Sequence, residues 1–125
     1  MKIVIETKNA PAPIGPYSQA VLSGNTLYTS GQVALIPETG ELVLDTIENE
    51  TQQVMSNMSA VLAEAGMTFD NVIKTSIFIS NMDNFSRINE VYAQYFTANF
   101  PARETVEVAR LPKDVNVEIS MIAVK

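Results

Sequence analysis

The run VNVEISMIAV at residues 115–124 constrains the fold more than any other stretch of the chain. Its residues alternate, and one face carries only apolar side chains, those of Val117, Ile119, Met121 and Ala123. The other face mixes polar and apolar groups and has Glu118 near its middle. Successive side chains of a strand point to opposite faces, so this pattern predicts a strand with one face in the core and the other uncovered.

Further strands are predicted from alternating or β-branched residues. They lie at 2–6, at 72–80 and at about 104–109. Two more strands flank Gly24-Asn25, a dipeptide that tolerates positive φ and suits a tight hairpin turn.

Two helices are predicted between these strands. The first spans about five turns, starts at a cap on Thr46 or Asp45, and ends with Gly66 just beyond its last residue. Asp83 is the expected cap of the second helix. The apolar face of that second helix is expected to consist of Phe85, Ile88, Val91, Tyr92, Tyr95 and Phe96.

The element order is therefore βββ-α-β-α-ββ, in one domain that spans residues 1–125. Each helix connects two strands, and right-handed crossovers place both helices on the same face of the sheet. We expect an α+β fold, a two-layer sandwich of a mixed six-stranded sheet with two helices on one face.

Composition excludes several functional classes. The 8 basic and 14 acidic residues give a formal charge of −6, which disfavours nucleic acid as a partner. No apolar run approaches the ~20 residues of a membrane span, and no signal peptide begins the chain, so we expect a cytoplasmic protein without a membrane partner. Histidine and cysteine are absent, which excludes thiolate nucleophiles, Ser-His triads and the usual zinc ligands.

Two charged residues stand out near the carboxyl end, Arg103 and Glu118. If Val106 and Val108 cover the helices, Arg103 and Glu118 both project from the helix-free face, where Tyr28 and Ser30 join them. One interpretation is a structural ion pair. The other is that Arg103 offers a planar fork to a ligand carboxylate while Glu118 handles a proton or a water molecule.

The helix-free face is also expected to carry Ile122 and Val124. A sheet face that is half apolar on a small domain usually meets a partner. A closed homo-oligomer satisfies this requirement and would place a polar pocket at the seam between subunits.

Four motifs, in this order, resemble the RidA-type reactive intermediate deaminase family along nearly the whole chain. They are APIGPYSQ, TSGQ, VIKTSIFIS with Asn89 after it, and FPAR…VEVARLPKD…VEI. The resemblance implies a chorismate-mutase-like fold and a homotrimer with clefts between subunits. It also implies hydrolysis of 2-imino acids, such as 2-iminobutanoate and 2-iminopropanoate, to 2-keto acids and ammonia, with no metal and no organic cofactor.

The resemblance also assigns roles to individual residues. Arg103 matches the carboxylate-binding arginine, and Glu118 matches the acidic residue near the water molecule. The residues that match positions lining or supporting the cleft are Tyr17, Ser30, Gly31 and Asn89. Many members carry a cysteine where this chain has Thr105. If that position acts through its backbone N–H, Thr105 can serve in the same way as the cysteine. If the side chain at that position shapes specificity, we expect the preferred substrate of this chain to differ from that of those members.

Two other functions stay open at this point. A non-catalytic sensor of 2-keto acids could use the same arginine. Some members of the family were described as translation-inhibiting ribonucleases, but the charge of −6 and the absence of histidine argue against that activity here.

Overall fold

The computed structural model describes all 125 residues, which form one mixed sheet and two helices. The strands are β1 (Lys2–Ile5), β2 (Ala20–Ser23), β3 (Thr26–Thr29), β4 (Val72–Ile79), β5 (Ala102–Glu107) and β6 (Val117–Val124). The helices are α1 (Ile47–Glu64) and α2 (Phe85–Ala93). The order across the sheet is β1-β2-β3-β6-β4-β5, and only β4 and β5 pair in parallel. The predicted order of elements is confirmed.

The core lies between one face of the sheet and the two helices. On β6 the predicted apolar set, Val117 to Ala123 in alternate positions, is buried, while the residues between them are half-buried. Both helices add side chains to the same core cluster, among them Val54, Met58, Leu62, Ile88 and Tyr92. The two-layer α+β sandwich with a six-stranded sheet is therefore confirmed. Neither helix combines the length and the apolar character needed to cross a membrane.

Both predicted ends of α1 are confirmed. Thr46 is the cap, and its hydroxyl accepts a hydrogen bond from the Asn49 N–H at 3.0 Å. The helix contains 18 residues, and Gly66 follows its last turn with φ at +72°. Glycine adopts this left-handed conformation without the steric cost that a side chain adds.

The predicted start of α2 is wrong. Asn81 rather than Asp83 supplies the cap, since its Oδ1 accepts from the Asp83 N–H at 2.9 Å. This cap serves a short 3₁₀ turn at Met82–Asn84, and α2 then begins at Phe85 with no side-chain cap of its own. The 3₁₀ turn displaces the capping position toward the amino end, which helical periodicity alone does not reveal.

Strand β5 faces opposite to the prediction. Its parallel register aligns Arg103 with Thr75 and Thr105 with Ile77, and both of these β4 residues are fully buried under the helices. Arg103 therefore lies on the helical side, whereas Val106 is 39% exposed on the other side. β5 is an edge strand with one neighbour, so a charged side chain on its helical side still reaches water.

A buried carboxylate ties α1 to the start of β6. Glu50 is 0% exposed, and its two oxygens accept hydrogen bonds from the Asn116 N–H at 2.8 Å, the Asn116 Nδ2 at 2.7 Å and the Val117 N–H at 3.3 Å. A buried carboxylate is tolerated when donors surround it in this way. These bonds fix the point at which the strand that carries Glu118 begins.

We expect Glu50→Gln to lower the free energy of unfolding by about 1–3 kcal/mol, because the amide NH₂ would face a buried donor and leave it unpaired. Urea unfolding followed by circular dichroism measures the change. Glu48→Gln is the matched control, since Glu48 lies on the same helix but makes an exposed ion pair with Arg87. Equal losses from the two variants would contradict a special role for Glu50.

Candidate functional site

One side of α2 holds the Arg103 side chain. Phe85, Asn89 and Tyr92 follow one another at spacings of four and three residues, which aligns them on one side of the helix. The guanidinium carbon of Arg103 lies 5.5 Å from the ring centre of Phe85 and 5.1 Å from that of Tyr92. Asn89 Oδ1 accepts a hydrogen bond from Arg103 Nη1 at 2.6 Å. The two aromatic rings and the Asn89 amide therefore orient the guanidinium without neutralising its charge.

No carboxylate pairs with Arg103. The ion pairs of the chain are Lys74–Glu104, Arg87–Glu48 and Arg110–Asp114. The alternative of a structural ion pair between Arg103 and Glu118 of the same chain is therefore wrong. Asn89 accepts a hydrogen bond from one N–H of the Arg103 side chain, and most of the five N–H groups of that side chain are available to a ligand.

These free N–H groups border a groove of about 410 Å³. Its lining consists of Asn89, Tyr92, Ala93, Phe100, Pro101 and Arg103. The Phe100 ring is 65% exposed at the rim. The groove thus offers one planar cation surrounded by apolar and aromatic surface, an arrangement that suits a small organic anion.

Glu118 lies in a second groove, of about 380 Å³. Three of the predicted site residues, Tyr17, Ser30 and Gly31, line this groove with it. The rest of its lining comes from Ile14, Val33, Leu35, Pro112 and Lys113. The structure therefore brings four of the predicted residues together, and it places them away from Arg103.

Gly31 leaves the space that the Glu118 carboxyl occupies. A Cβ atom at position 31 would lie 2.7 Å from both Cδ and Oε2 of Glu118, a separation that real Cβ atoms essentially never show. Any other residue at this position would displace the carboxyl. Gly31 therefore helps to set where the carboxyl lies.

The proline-rich loop is held against the end of β3 by Ser30. The Ser30 hydroxyl donates to the Ser18 carbonyl at 2.5 Å, and the Ser30 N–H donates to the Gln19 carbonyl at 2.9 Å. Tyr17 remains 51% exposed beside the groove, and its hydroxyl accepts a long hydrogen bond from the Ile14 N–H at 3.5 Å. Ser30 thus supports the wall that Tyr17 forms.

Partial burial raises the pKa of the Glu118 carboxyl above its ordinary value of 4.5, because desolvation disfavours the anion. No cation of the same chain lies close enough to Glu118 to form an ion pair. A carboxylate with a raised pKa is a stronger base than one in water, and it releases a captured proton less readily. This property suits general acid–base catalysis.

The two grooves lie on opposite faces of the sheet. Arg103 aligns with Thr75 across the strands, whereas Glu118 aligns with Phe78, three residues further along β4. Three residues correspond to roughly 10 Å along a strand. The prediction that Arg103 and Glu118 share the helix-free face is therefore wrong, and one chain alone does not bring the two side chains together.

Thr105 lies beyond Arg103 on the same side of β5, aligned with Ile77. Its Oγ1 is buried and has no hydrogen-bond partner. Thr105 does not line the groove of Arg103. A buried hydroxyl without a hydrogen-bond partner lowers the stability of the fold. Nothing in the structure explains why a threonine occupies this position.

Sequence reasoning missed the contacts of Phe85 and Tyr92 with Arg103. The helical pattern places both rings on the apolar face of the second helix and does not indicate a contact with an arginine. The informative signal is the spacing of two aromatic residues around Asn89, at i, i+4 and i+7, just before a strand that carries an arginine.

The two-layer α+β sandwich defines the fold class, and Arg103 is the one arginine of the chain that forms no ion pair. The sequence model of the family described as Endoribonuclease L-PSP matches residues 7–125, and the chain belongs to this family. Its relatives include proteins with RutC, Rid, regulator and endoribonuclease names. The predicted resemblance to RidA-type proteins is confirmed.

Three relatives illustrate the similarity. A RutC family protein of Pyrococcus horikoshii is 51% identical over 125 residues, which cover 100% of this chain and 99% of the relative. The human 2-iminobutanoate/2-iminopropanoate deaminase is 45% identical over 122 residues, or 98% of this chain and 89% of the human protein. The structure of Escherichia coli TdcF with bound serine has a TM-score of 0.94 at 42% identity and covers 98% of each chain.

The raised pKa of Glu118 predicts a pH-dependent effect of Glu118→Gln on stability. Below about pH 4 the carboxyl is protonated in both the folded and the unfolded chain, so its ionisation contributes nothing. As the pH rises through 4.5, the unfolded chain ionises first and the parent protein loses stability that the glutamine variant keeps. The difference in melting temperature, variant minus parent, should therefore increase between about pH 4 and pH 7. A difference that stays constant or decreases would contradict the raised pKa.

Proposed function

We propose that this protein hydrolyses 2-imino acids, such as 2-iminobutanoate and 2-iminopropanoate, to 2-keto acids and ammonia. The observation that carries the proposal is the Arg103 guanidinium, which is oriented by three residues of α2 and paired with no carboxylate. The identity to the human deaminase, over nearly the whole chain, supports the same reaction.

The substrate fits the chemistry of these side chains. A 2-imino acid is a planar carboxylate next to a C=N bond, and a guanidinium can bind such a carboxylate through two parallel hydrogen bonds. Bidentate binding fixes both the position and the plane of the substrate. The orientation of Arg103 by Phe85, Asn89 and Tyr92 means that little freedom is lost when the ligand binds.

Glu118 would handle the proton of the attacking water. The water oxygen forms a bond to C2 of the protonated imine as the C=N π electrons move to nitrogen, and the water proton passes to the carboxylate. Transfer of that proton to the amine nitrogen makes ammonia the leaving group. As the C–N bond breaks, the hydroxyl oxygen forms the C=O bond of the keto group, and its proton passes to the Glu118 carboxylate, which returns it to ammonia or to solvent. A protonated imine is already a strong electrophile, so orienting the water suffices and no cofactor is needed.

A second copy of the chain would complete the site. Arg103 and Glu118 lie on opposite faces of the sheet, so they can act on one substrate only when the Arg103 groove of one subunit meets the Glu118 groove of another. A head-to-tail contact of this kind closes into a ring when the rotation that relates neighbouring subunits brings the last copy back to the first. We propose a homotrimer with three such clefts, as the resemblance to RidA-type proteins implies.

The helix-free face supports this assembly. A row of aligned residues crosses it through Val4, Val21, Tyr28 and Ile122. Val4 is 55% exposed and Tyr28 49% exposed in the single chain. An apolar row of this length in water favours association with another copy.

Arg103→Lys should lower kcat/KM for 2-iminobutanoate roughly 10- to 150-fold, because a point charge replaces a bidentate fork. Arg103→Ala should cost more, and the melting temperature should change little in both variants. The assay generates the imine with an amino-acid oxidase and follows its loss by semicarbazide trapping. Arg87→Lys, an exposed arginine of α2, is the control and should leave the rate unchanged.

Two other results would contradict the proposed role of Arg103 or the proposed hydrolytic activity. If Arg103→Lys hydrolyses the imine as fast as the parent while its melting temperature falls, Arg103 is a structural residue. If all variants and the parent bind 2-keto acids without accelerating imine loss, the protein is a keto-acid sensor instead.

Light scattering should give three times the mass of one chain at micromolar concentration. Tyr28→Glu should lower this mass and the imine-hydrolysis rate together, because a charge in the apolar row opposes its burial. Ser59→Glu on the exposed side of α1 is the control and should change neither quantity. A Tyr28→Glu protein that is monomeric and fully active would contradict a site shared between subunits.

A further inference from the structure

Two hydroxyl groups meet in the core beside Arg103. The Tyr92 hydroxyl donates to Thr75 Oγ1 at 3.1 Å, and the two residues are 4% and 0% exposed. Thr75 is also the residue of β4 that aligns with Arg103 on β5, so the two side chains are neighbours on one side of the sheet. The Tyr92 ring thus reaches from α2 to Thr75 and passes next to the guanidinium, whose carbon is 5.1 Å from the ring centre.

Packing alone does not explain this pair. A phenylalanine and a valine would fill nearly the same volume, and replacing both partners of a buried hydrogen bond by apolar groups is often close to neutral for stability. The hydroxyls add a contact with a preferred geometry. Their hydrogen bond limits how far the Tyr92 ring can slide or tilt, and it does so more strongly than apolar contacts would. Burial raises the pKa of Tyr92, so its hydroxyl stays a neutral donor near neutral pH.

We infer that Thr75 and Tyr92 are positioning residues, whose hydrogen bond holds the aromatic ring on which the Arg103 guanidinium rests. Neither residue's hydroxyl needs to contact the substrate. The inference rests on the carboxylate-binding role proposed for Arg103, and it extends that role into the core. Asn89 orients the guanidinium from α2 through Nη1, and the Thr75–Tyr92 pair orients it from the buried side.

The experiment measures binding and catalysis separately. Calorimetry gives the affinity for 2-oxobutanoate, the keto-acid product of 2-iminobutanoate, and the trapping assay gives kcat and KM for the imine. Tyr92→Phe and Thr75→Val should each weaken 2-oxobutanoate binding and raise KM about 3- to 10-fold, while kcat changes less. In an Arg103→Lys background, Tyr92→Phe should add less than about a 2-fold effect, since the ring then has no guanidinium plane to hold.

The double variant Thr75→Val/Tyr92→Phe separates positioning from stability. Each single variant leaves one buried hydroxyl unpaired and should melt at a lower temperature, whereas the double variant should recover much of that loss. Its affinity for 2-oxobutanoate should stay low. Tyr95→Phe is the matched control, because Tyr95 packs on Phe69 and makes no contact with Arg103, and its affinity should equal that of the parent.

Several outcomes would overturn the inference. They are an unchanged affinity in Tyr92→Phe, recovery of affinity together with stability in the double variant, and full additivity with Arg103→Lys. A parent that does not bind 2-oxobutanoate would overturn it as well. If the parent binds 2-oxobutanoate through Arg103 but hydrolyses no imine, the proposed function fails while the positioning role stands.

Discussion

The interior strand β6 imposes the constraint on which the rest of the structure depends, since it buries one face and leaves Glu118 on the other. A shift of one residue would exchange the faces and move Glu118 into the apolar core. Burial of Val117, Ile119 and Met121 opposes that shift. The hydrogen bonds that Glu50 accepts from the N–H groups of Asn116 and Val117 fix the start of the strand. Core packing therefore sets the position of the carboxyl before any ligand is present.

The fold was predictable where local patterns are strong. Strand β6 shows a period of two with one wholly apolar face, and α1 has a capping threonine at one end and a glycine at the other. Such signals act through the backbone and through immediate neighbours, so sequence reasoning recovers them. The layer architecture then follows from the order of the elements and from the handedness of their connections.

The Arg103 half of the site was harder to predict. Alternation along β5 shows that Arg103 and Thr105 share a side, but it does not show which side the helices cover. Val106 suggested the wrong answer, because an edge strand leaves apolar residues exposed on its outer face. The contacts of the Arg103 guanidinium with the rings of Phe85 and Tyr92 depend on how α2 lies over β5, which is a tertiary contact. The residues of the Glu118 groove were identified by resemblance, not by physical derivation.

Strand β5 has one neighbour in the sheet, whereas β6 has two. In the sheet, detaching β5 breaks backbone hydrogen bonds to β4 alone and leaves the interior strands paired. Local opening of this kind requires less free energy than opening an interior strand, so we expect the amide protons of β5 to exchange with solvent sooner than those of β6. The arginine therefore stands on an edge strand of the sheet. In the proposed assembly, a subunit that covers β5 would both supply the Glu118 carboxyl and slow that opening.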